Sequence, residues 1–105
     1  MPRINTRQAD GYIARLEPFT SNGAISAAWD QGAYVVKSYS TAIAVIYPAD
    51  QRAVVNAARY SVTTSRHQAE VRHGLSDLDL EIVEVSDPAA FTELTGHRAR
   101  IRGAN

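Results

Sequence analysis

The run Thr41-Ala42-Ile43-Ala44-Val45-Ile46-Tyr47 constrains this chain more than any other. Successive side chains of a strand point to opposite faces. Thr41, Ile43, Val45 and Tyr47 would share one face, and Ala42, Ala44 and Ile46 the other. Both faces are apolar, so the run reads as a central strand, ended by Pro48-Ala49-Asp50. Its neighbours follow from the turns around it. Tyr34–Tyr39 reads as the strand before it; Ala53–Tyr60 has alanines at both the helix and the strand period, and Val54, Val55 and the turn before it favour a strand. Loops this short predict antiparallel pairing. Asp30-Gln31-Gly32 is suited to a hairpin turn, which joins Tyr34–Tyr39 to a short strand at Ala24–Trp29. Tyr12–Phe19 is expected as the first strand, ended by Pro18 and the turn Thr20–Gly23. Residues 1–10 are polar and expected as a loose arm, leaving residues 11–105 as one domain.

The later half brings helix signals. Ser65 and Gln68 stand at capping-box spacing. They predict a helix over Arg66–His73 with Gly74 as its stop. On that helix His67, Val71 and Leu75 fall on one side, and Arg66, Ala69, Glu70 and His73 on the other. Leu78–Val85 returns to the strand period, with Leu78, Leu80 and Ile82 expected inward and Asp79 and Glu81 outward. Ser86-Asp87-Pro88 is a second helix start. Phe91 and Leu94 give that helix an apolar face, and Gly96 closes it. His97–Arg102 alternates again, with Arg98, Arg100 and Arg102 on one face. The expected fold is a strand-rich α+β domain. It has a mostly antiparallel sheet of about five or six strands and one or two short helices in the C-terminal half.

Composition narrows the chemistry. The chain has 105 residues, the size of one domain, and no cysteine. A disulfide framework, a thiolate metal site and a cysteine nucleophile are therefore excluded. Formal net charge is zero, so no overall field draws the chain to nucleic acid or to an anionic membrane. Charge is nevertheless unevenly spread. Between Gly74 and Gly96 every formal charge is negative: Asp77, Asp79, Glu81, Glu84, Asp87 and Glu93. Lys37 is the only lysine, and the excess of arginine reads as a GC-rich coding genome. The N-terminus lacks the apolar core of a secretory signal. No apolar run approaches the ~18–20 residues of a membrane span. The expectation is a soluble protein without membrane attachment.

Candidate chemistry concentrates in Tyr60–Gln68. Thr63, Thr64 and Ser65 precede the expected helix start, where free backbone N–H groups, hydroxyls and Arg66 would hold a phosphate or carboxylate. The structural alternative is that Ser65 only caps the helix and the threonines only end a strand. A Ser-x-His pair suggests nucleophile and base, yet no carboxylate stands in a motif-like relation to His67, and the helical wheel turns it toward the core. His67 and His73 are not the i, i+4 pair of a zinc helix, so no metal and no cofactor is expected. Asp77, Asp79 and Glu81 read as a solvated strand face, set opposite Arg98, Arg100 and Arg102. Those arginines are the nucleic-acid candidates. Tyr34, Tyr39, Tyr47 and Tyr60 lie on consecutive strands and read as packing residues rather than a base-stacking surface.

Two segments together resemble a known family: Ser38-Tyr39-Ser40-Thr41-Ala42-Ile43-Ala44 and Tyr60-Ser61-Val62-Thr63-Thr64-Ser65-Arg66-His67-Gln68. They are similar to small proteins of unknown function carried by bacteriophages, especially those of actinobacteria, and by related mobile elements. That family often has proline where this chain has Ala42. The resemblance spans about Gly32 to Leu75. It implies a phage origin, and hence the host cytoplasm, without supplying an activity. The expected role is a non-enzymatic binding module acting on a host protein or during infection, with Tyr39, Thr63, Thr64, Ser65, Arg66 and His67 as its ligand candidates. The alternative is a nucleic-acid binder using Arg66, Arg72 and the C-terminal arginines. A small hydrolase or nuclease using His67 is the third reading. An exposed sheet edge would allow a homo-oligomer.

Overall fold

The structure, a computed structural model, describes residues 2–21 and 24–99. Its seven strands form one sheet in simple chain order. They are β1 (Arg3–Ile4), β2 (Phe19–Ser21), β3 (Ile25–Asp30), β4 (Ala33–Ser38), β5 (Thr41–Tyr47), β6 (Arg52–Asn56) and β7 (Glu81–Val85). Three helices accompany them: α1 (Ala9–Ala14), α2 (Val62–Leu75) and α3 (Pro88–Thr95). The strand-rich α+β class stands. The expectation of a mostly antiparallel sheet of about five or six strands is corrected in size and pairing, because the described sheet has seven strands and is mixed. The β2–β6 stretch pairs antiparallel, whereas β1 with β2 and β6 with β7 pair parallel.

The centre is as the apolar run requires. Every residue of β5 is buried except Tyr47, which is half-buried. β4 is buried from Ala33 to Val36. The β3–β4 turn places Gln31 and Gly32 at φ 50° and 82°, the left-handed pair whose twist matches a two-residue hairpin. One irregularity breaks the strict alternation in β5. Val36 faces Ala44 and Lys37 faces Ala42, so Ile43 is the extra residue of a bulge. Ala42 then joins Val35, Val45, Val54 and Phe91 on the α3 side. Ile43, Ala44 and Ile46 join Ile13, Phe19, Tyr34, Val71 and Leu75 on the side of α1 and α2.

The two parallel pairs explain where the helices sit. β1-α1-β2 and β6-α2-β7 are crossover units, and in chain order both step the same way across strands that run in the same direction. Crossovers of this kind are almost always right-handed. Applied to both units, that rule puts both helices on one face, and α1 does pack on α2 there. The contact is close at Gly74. A Cβ at that position would lie 2.7 Å from the Ile13 Cβ and 2.8 Å from the Asp10 carbonyl oxygen. Gly74 therefore lies inside α2 as a close-approach residue and is not the expected helix stop.

Other expectations are corrected in the N-terminal half. Tyr12–Phe19 is not a strand. Ala9, Tyr12, Ile13 and Leu16 fall at i, i+3, i+4 and i+7, the helical period, and Ala9 and Ile13 are buried on α1. The strand begins only after Pro18, at Phe19. Within the stretch expected as an arm, Arg3–Ile4 pairs with β2, Ile4 is buried, and Thr6–Gln8 forms a 3-10 turn. The Gln8 side chain closes that turn by accepting from the Asn5 amide at 3.0 Å.

In the C-terminal half α3 follows its sequence signals. Asp87 Oδ1 accepts from the Ala89 amide at 3.1 Å, Pro88 is the first helical residue, and Gly96 ends the helix at φ 74°. β7 is shorter than Leu78–Val85, and Ile82 is 45 % exposed rather than inward. Leu78 and Leu80 pack against the core ahead of the strand. Of the expected strand His97–Arg102, residues 97–99 are irregular, and Arg100, Ile101 and Arg102 lie outside the described residues. Glu81 pairs with Arg52 at 3.0 Å.

Candidate functional site

The two family-like segments meet in space. Ser38 ends β4 on the face covered by α2, and only 1 % of it is exposed. Its Oγ lies 2.6 Å from His67 Nδ1 and donates to Thr64 Oγ1 at 3.1 Å. The serine hydroxyl thus bridges the imidazole of His67 and the hydroxyl of Thr64. Thr64 and His67 share a face of α2 at i, i+3 spacing, and His67 is 2 % exposed.

The start of α2 fixes this geometry. The N-cap is Ser61, not Ser65: the Thr64 amide donates to Ser61 Oγ at 3.2 Å, and Ser61 Oγ donates to Thr64 Oγ1 at 3.3 Å. The helix therefore begins one turn earlier than the capping-box reading placed it. Gln68, read as the reciprocal partner of Ser65, instead turns inward. Its Nε2 donates to the carbonyls of Asn56 at 2.8 Å and Ala58 at 3.0 Å. Asn56, buried at the end of β6, donates from Nδ2 to the Ala42 carbonyl at 3.1 Å and to Tyr60 Oη at 3.0 Å, and its Oδ1 accepts from the Ala58 amide at 3.0 Å. A polar seam thus ties β4, β5, β6 and α2 together through side chains of both segments. Buried polar groups need such partners, because an unpaired one costs about 1–3 kcal/mol.

The seam divides the ligand candidates. Thr64 and His67 face inward, whereas Thr63, Ser65 and Arg66 are exposed on α2. At the helix start the Thr64 and Ser65 amides are already taken by Ser61. Tyr39 occupies the β4–β5 turn with φ 56° and is 59 % exposed. Its ring centroid is 6.2 Å from that of His67, so it sits over the seam from outside. A left-handed backbone is uncommon for a residue of this size. Arg66 has no ion-pair partner among the described residues. Arg72 is engaged by Glu84 at 3.2 Å. Arg98 is exposed, and its carbonyl accepts from the Ala42 amide at 2.9 Å. Arg100 and Arg102 are outside the described residues.

The tyrosines do not form one surface. Tyr34 is buried beside α1, and its Oη donates to the Glu17 carbonyl at 2.7 Å. Burial, helped by the Glu17 charge, pushes its phenol well above the ordinary range. Tyr47 packs on the opposite face, where burial also raises its phenol. Of the other histidines, His97 lies 3.6 Å from Asp30 and His73 is exposed. Among the described residues no three His, Asp or Glu side chains converge on a metal position. None of the described helices is long and apolar enough to cross a membrane.

Sequence reasoning missed Ser38, Asn56 and Ser61. Asn56 left a signal, a lone amide ending an apolar strand. It also missed two clefts. One, of about 320 Å³, lies between α2 and β7 and is lined by Val55, Arg72, Leu75, Ser76, Ile82 and Glu84. The other, of about 390 Å³, lies over β3 and β4, where Val35, Lys37 and His97 meet Ala28 and Asp30.

Comparison with curated proteins and with solved structures finds no significant match. A family model does match, over residues 8–82, from α1 through the seam to the start of β7. The chain belongs to that family, DUF8033, a family of unknown function.

Proposed function

We propose that the chain is a bacteriophage-encoded, non-enzymatic binding module that acts on a host protein through the surface around Tyr39 and the outer face of α2. The phage origin rests on the resemblance of Ser38–Ala44 and Tyr60–Gln68. One observation carries the binding role: Tyr39 is held outward at φ 56°, 59 % exposed, above the seam. A hairpin of this kind favours glycine at such a position. A bulky residue kept there costs of order 1 kcal/mol, and such strain clusters at functional positions. Arg66, exposed on the same helix, adds the other side chain most often found at binding hot spots. Ser38 and His67 serve poorly as nucleophile and base in this arrangement, since both are covered and bonded to each other, and Ser38 is bonded to Thr64 as well.

Tyr39→Gly tests the reading. The substitution removes the ring and relieves the backbone, so the melting temperature should hold or rise. Affinity capture from host lysate, with the captured protein identified by mass spectrometry, should recover one partner with the native chain and lose it with Tyr39→Gly and with Arg66→Ala. A turnover on ester or phosphodiester substrates that disappears in a folded His67→Gln variant would overturn the proposal in favour of an enzyme.

A further inference from the structure

We infer that the free edge of β7 is a docking site for an extended, basic peptide strand of a partner protein, separate from the Tyr39 surface. Among the described residues β7 is the last strand of the sheet. The Glu81 amide donates to the Gln51 carbonyl, and the Val85 carbonyl accepts from the Ala57 amide. Glu81, Val83 and Val85 thus turn their backbones toward β6. Ile82 and Glu84, by strand alternation, turn their N–H and C=O groups to the open side. Among the described residues nothing takes these groups up. An unpaired edge of this kind is a template for an added strand. The opposite edge is different: β1 has 2 residues and follows Pro2, which has no N–H to offer.

The side chains say what the added strand carries. Ile82 is 45 % exposed and stands beside the cleft walled by Val55 and Leu75, which has room for an aliphatic side chain. Asp77, Asp79, Glu81, Glu84, Asp87 and Glu93 are all exposed in this part of the chain, and no Lys or Arg lies between Gly74 and Gly96. Of these six acids, Glu81 and Glu84 have arginine partners among the described residues. These pairs are exposed and weakly held. The remaining acids attract lysine and arginine. They also oppose pairing of β7 with β7 of a second copy, which would set acid against acid across the ladder. The fitting occupant therefore alternates basic and aliphatic residues.

The test uses the intact chain and a short synthetic peptide alternating lysine and valine. Amide hydrogen exchange followed by NMR should show Ile82 and Glu84 exchanging fast in the free chain and about tenfold more slowly, or slower still, with saturating peptide. Affinity should fall as salt rises, and a peptide with glutamate in place of lysine should not bind. Ile82→Pro removes an outward N–H that makes no ladder bond, so it should weaken binding about tenfold or more at an unchanged melting temperature. Asp77→Asn with Asp79→Asn, both ahead of the strand, should weaken binding several-fold and flatten its salt dependence even if the proline variant is unstable. Protection of Ile82 and Glu84 in the free chain would overturn the inference, because the edge would then be closed by the chain itself or by a second copy. So would peptide protection elsewhere on the sheet, or equal binding of the glutamate peptide.

Discussion

His67 shows how a reactive residue type can be committed to folding. Its ring fills space between α2 and β4, and its Nδ1 holds the Ser38 hydroxyl, which in turn holds Thr64. Truncation would leave two buried hydroxyls with fewer partners and an empty volume beside them. We expect His67→Ala to lower stability by ~3 kcal/mol, combining lost hydrogen bonding and a cavity; urea unfolding measures it. A loss below about 1 kcal/mol would mean that the seam is not a stabilising core. The inward turn of His67, Val71 and Leu75 was legible from helical spacing alone. The partner was not. Ser38 is separated from His67 by 29 residues, and only the register of β4 under α2 brings them together. The same limit applied to the candidate anion site. Thr63, Thr64, Ser65 and Arg66 look like one cluster in sequence, but a helix running through them sends Thr64 inward and the others out.

At the scale of elements, two serines four positions apart competed for the same role. Ser61 and Ser65 each suit an N-cap, and local propensity does not separate them. Docking of Thr64 on Ser38 decides the matter, because it requires Thr64 to be already in the first turn. Ser61→Ala should therefore cost ~1 kcal/mol, while Ser65→Ala, exposed on the formed helix, should cost within about 0.5 kcal/mol. Thermal melts followed by circular dichroism distinguish the two, and the reverse order would return the cap to Ser65. Gly74 makes a second test. Alanine is the better helix former by ~1 kcal/mol, yet its methyl would meet Ile13 and the Asp10 carbonyl. We expect Gly74→Ala to destabilise by about 1–3 kcal/mol through overpacking; a rise in melting temperature would refute the close approach. α1 was hidden in the sequence by the apolar and aromatic character of Tyr12–Phe19, which read as a strand ended by Pro18. Its four apolar positions at helical spacing were nonetheless present.

At the scale of the whole molecule, the joint between α1 and α2 carries a pH dependence. Glu70 lies there, and its Oε2 is buried without a hydrogen-bond partner. Burial, then the Asp10 charge, raises its carboxyl above the ordinary value of 4.5, against a hydrogen bond from the Asp10 backbone and the favourable charge of His73. A raised folded-state value means that the fold prefers the protonated form. Its contribution is complete below the ordinary glutamate range and is lost as pH rises through the shifted value. Glu70→Gln should keep the packing, raise the melting temperature at neutral pH, and flatten the decline above pH 4.5. An unchanged pH profile in the variant would assign that decline to other groups.

The unbroken strand order also has a consequence in time. Neighbours in the sheet are neighbours in the chain, and the β3–β4 and β4–β5 turns each span two residues. Loop closure is cheapest there, so these hairpins can form before α2 has anything to dock on. The imidazole then reaches the serine only in a late step. In stopped-flow experiments a weakened β3–β4 hairpin, such as Gly32→Val, should slow refolding. His67→Ala should leave refolding nearly unchanged and accelerate unfolding. The same bond would then act as a clasp, the last contact made on folding and among the first released when the helix layer lifts from the sheet.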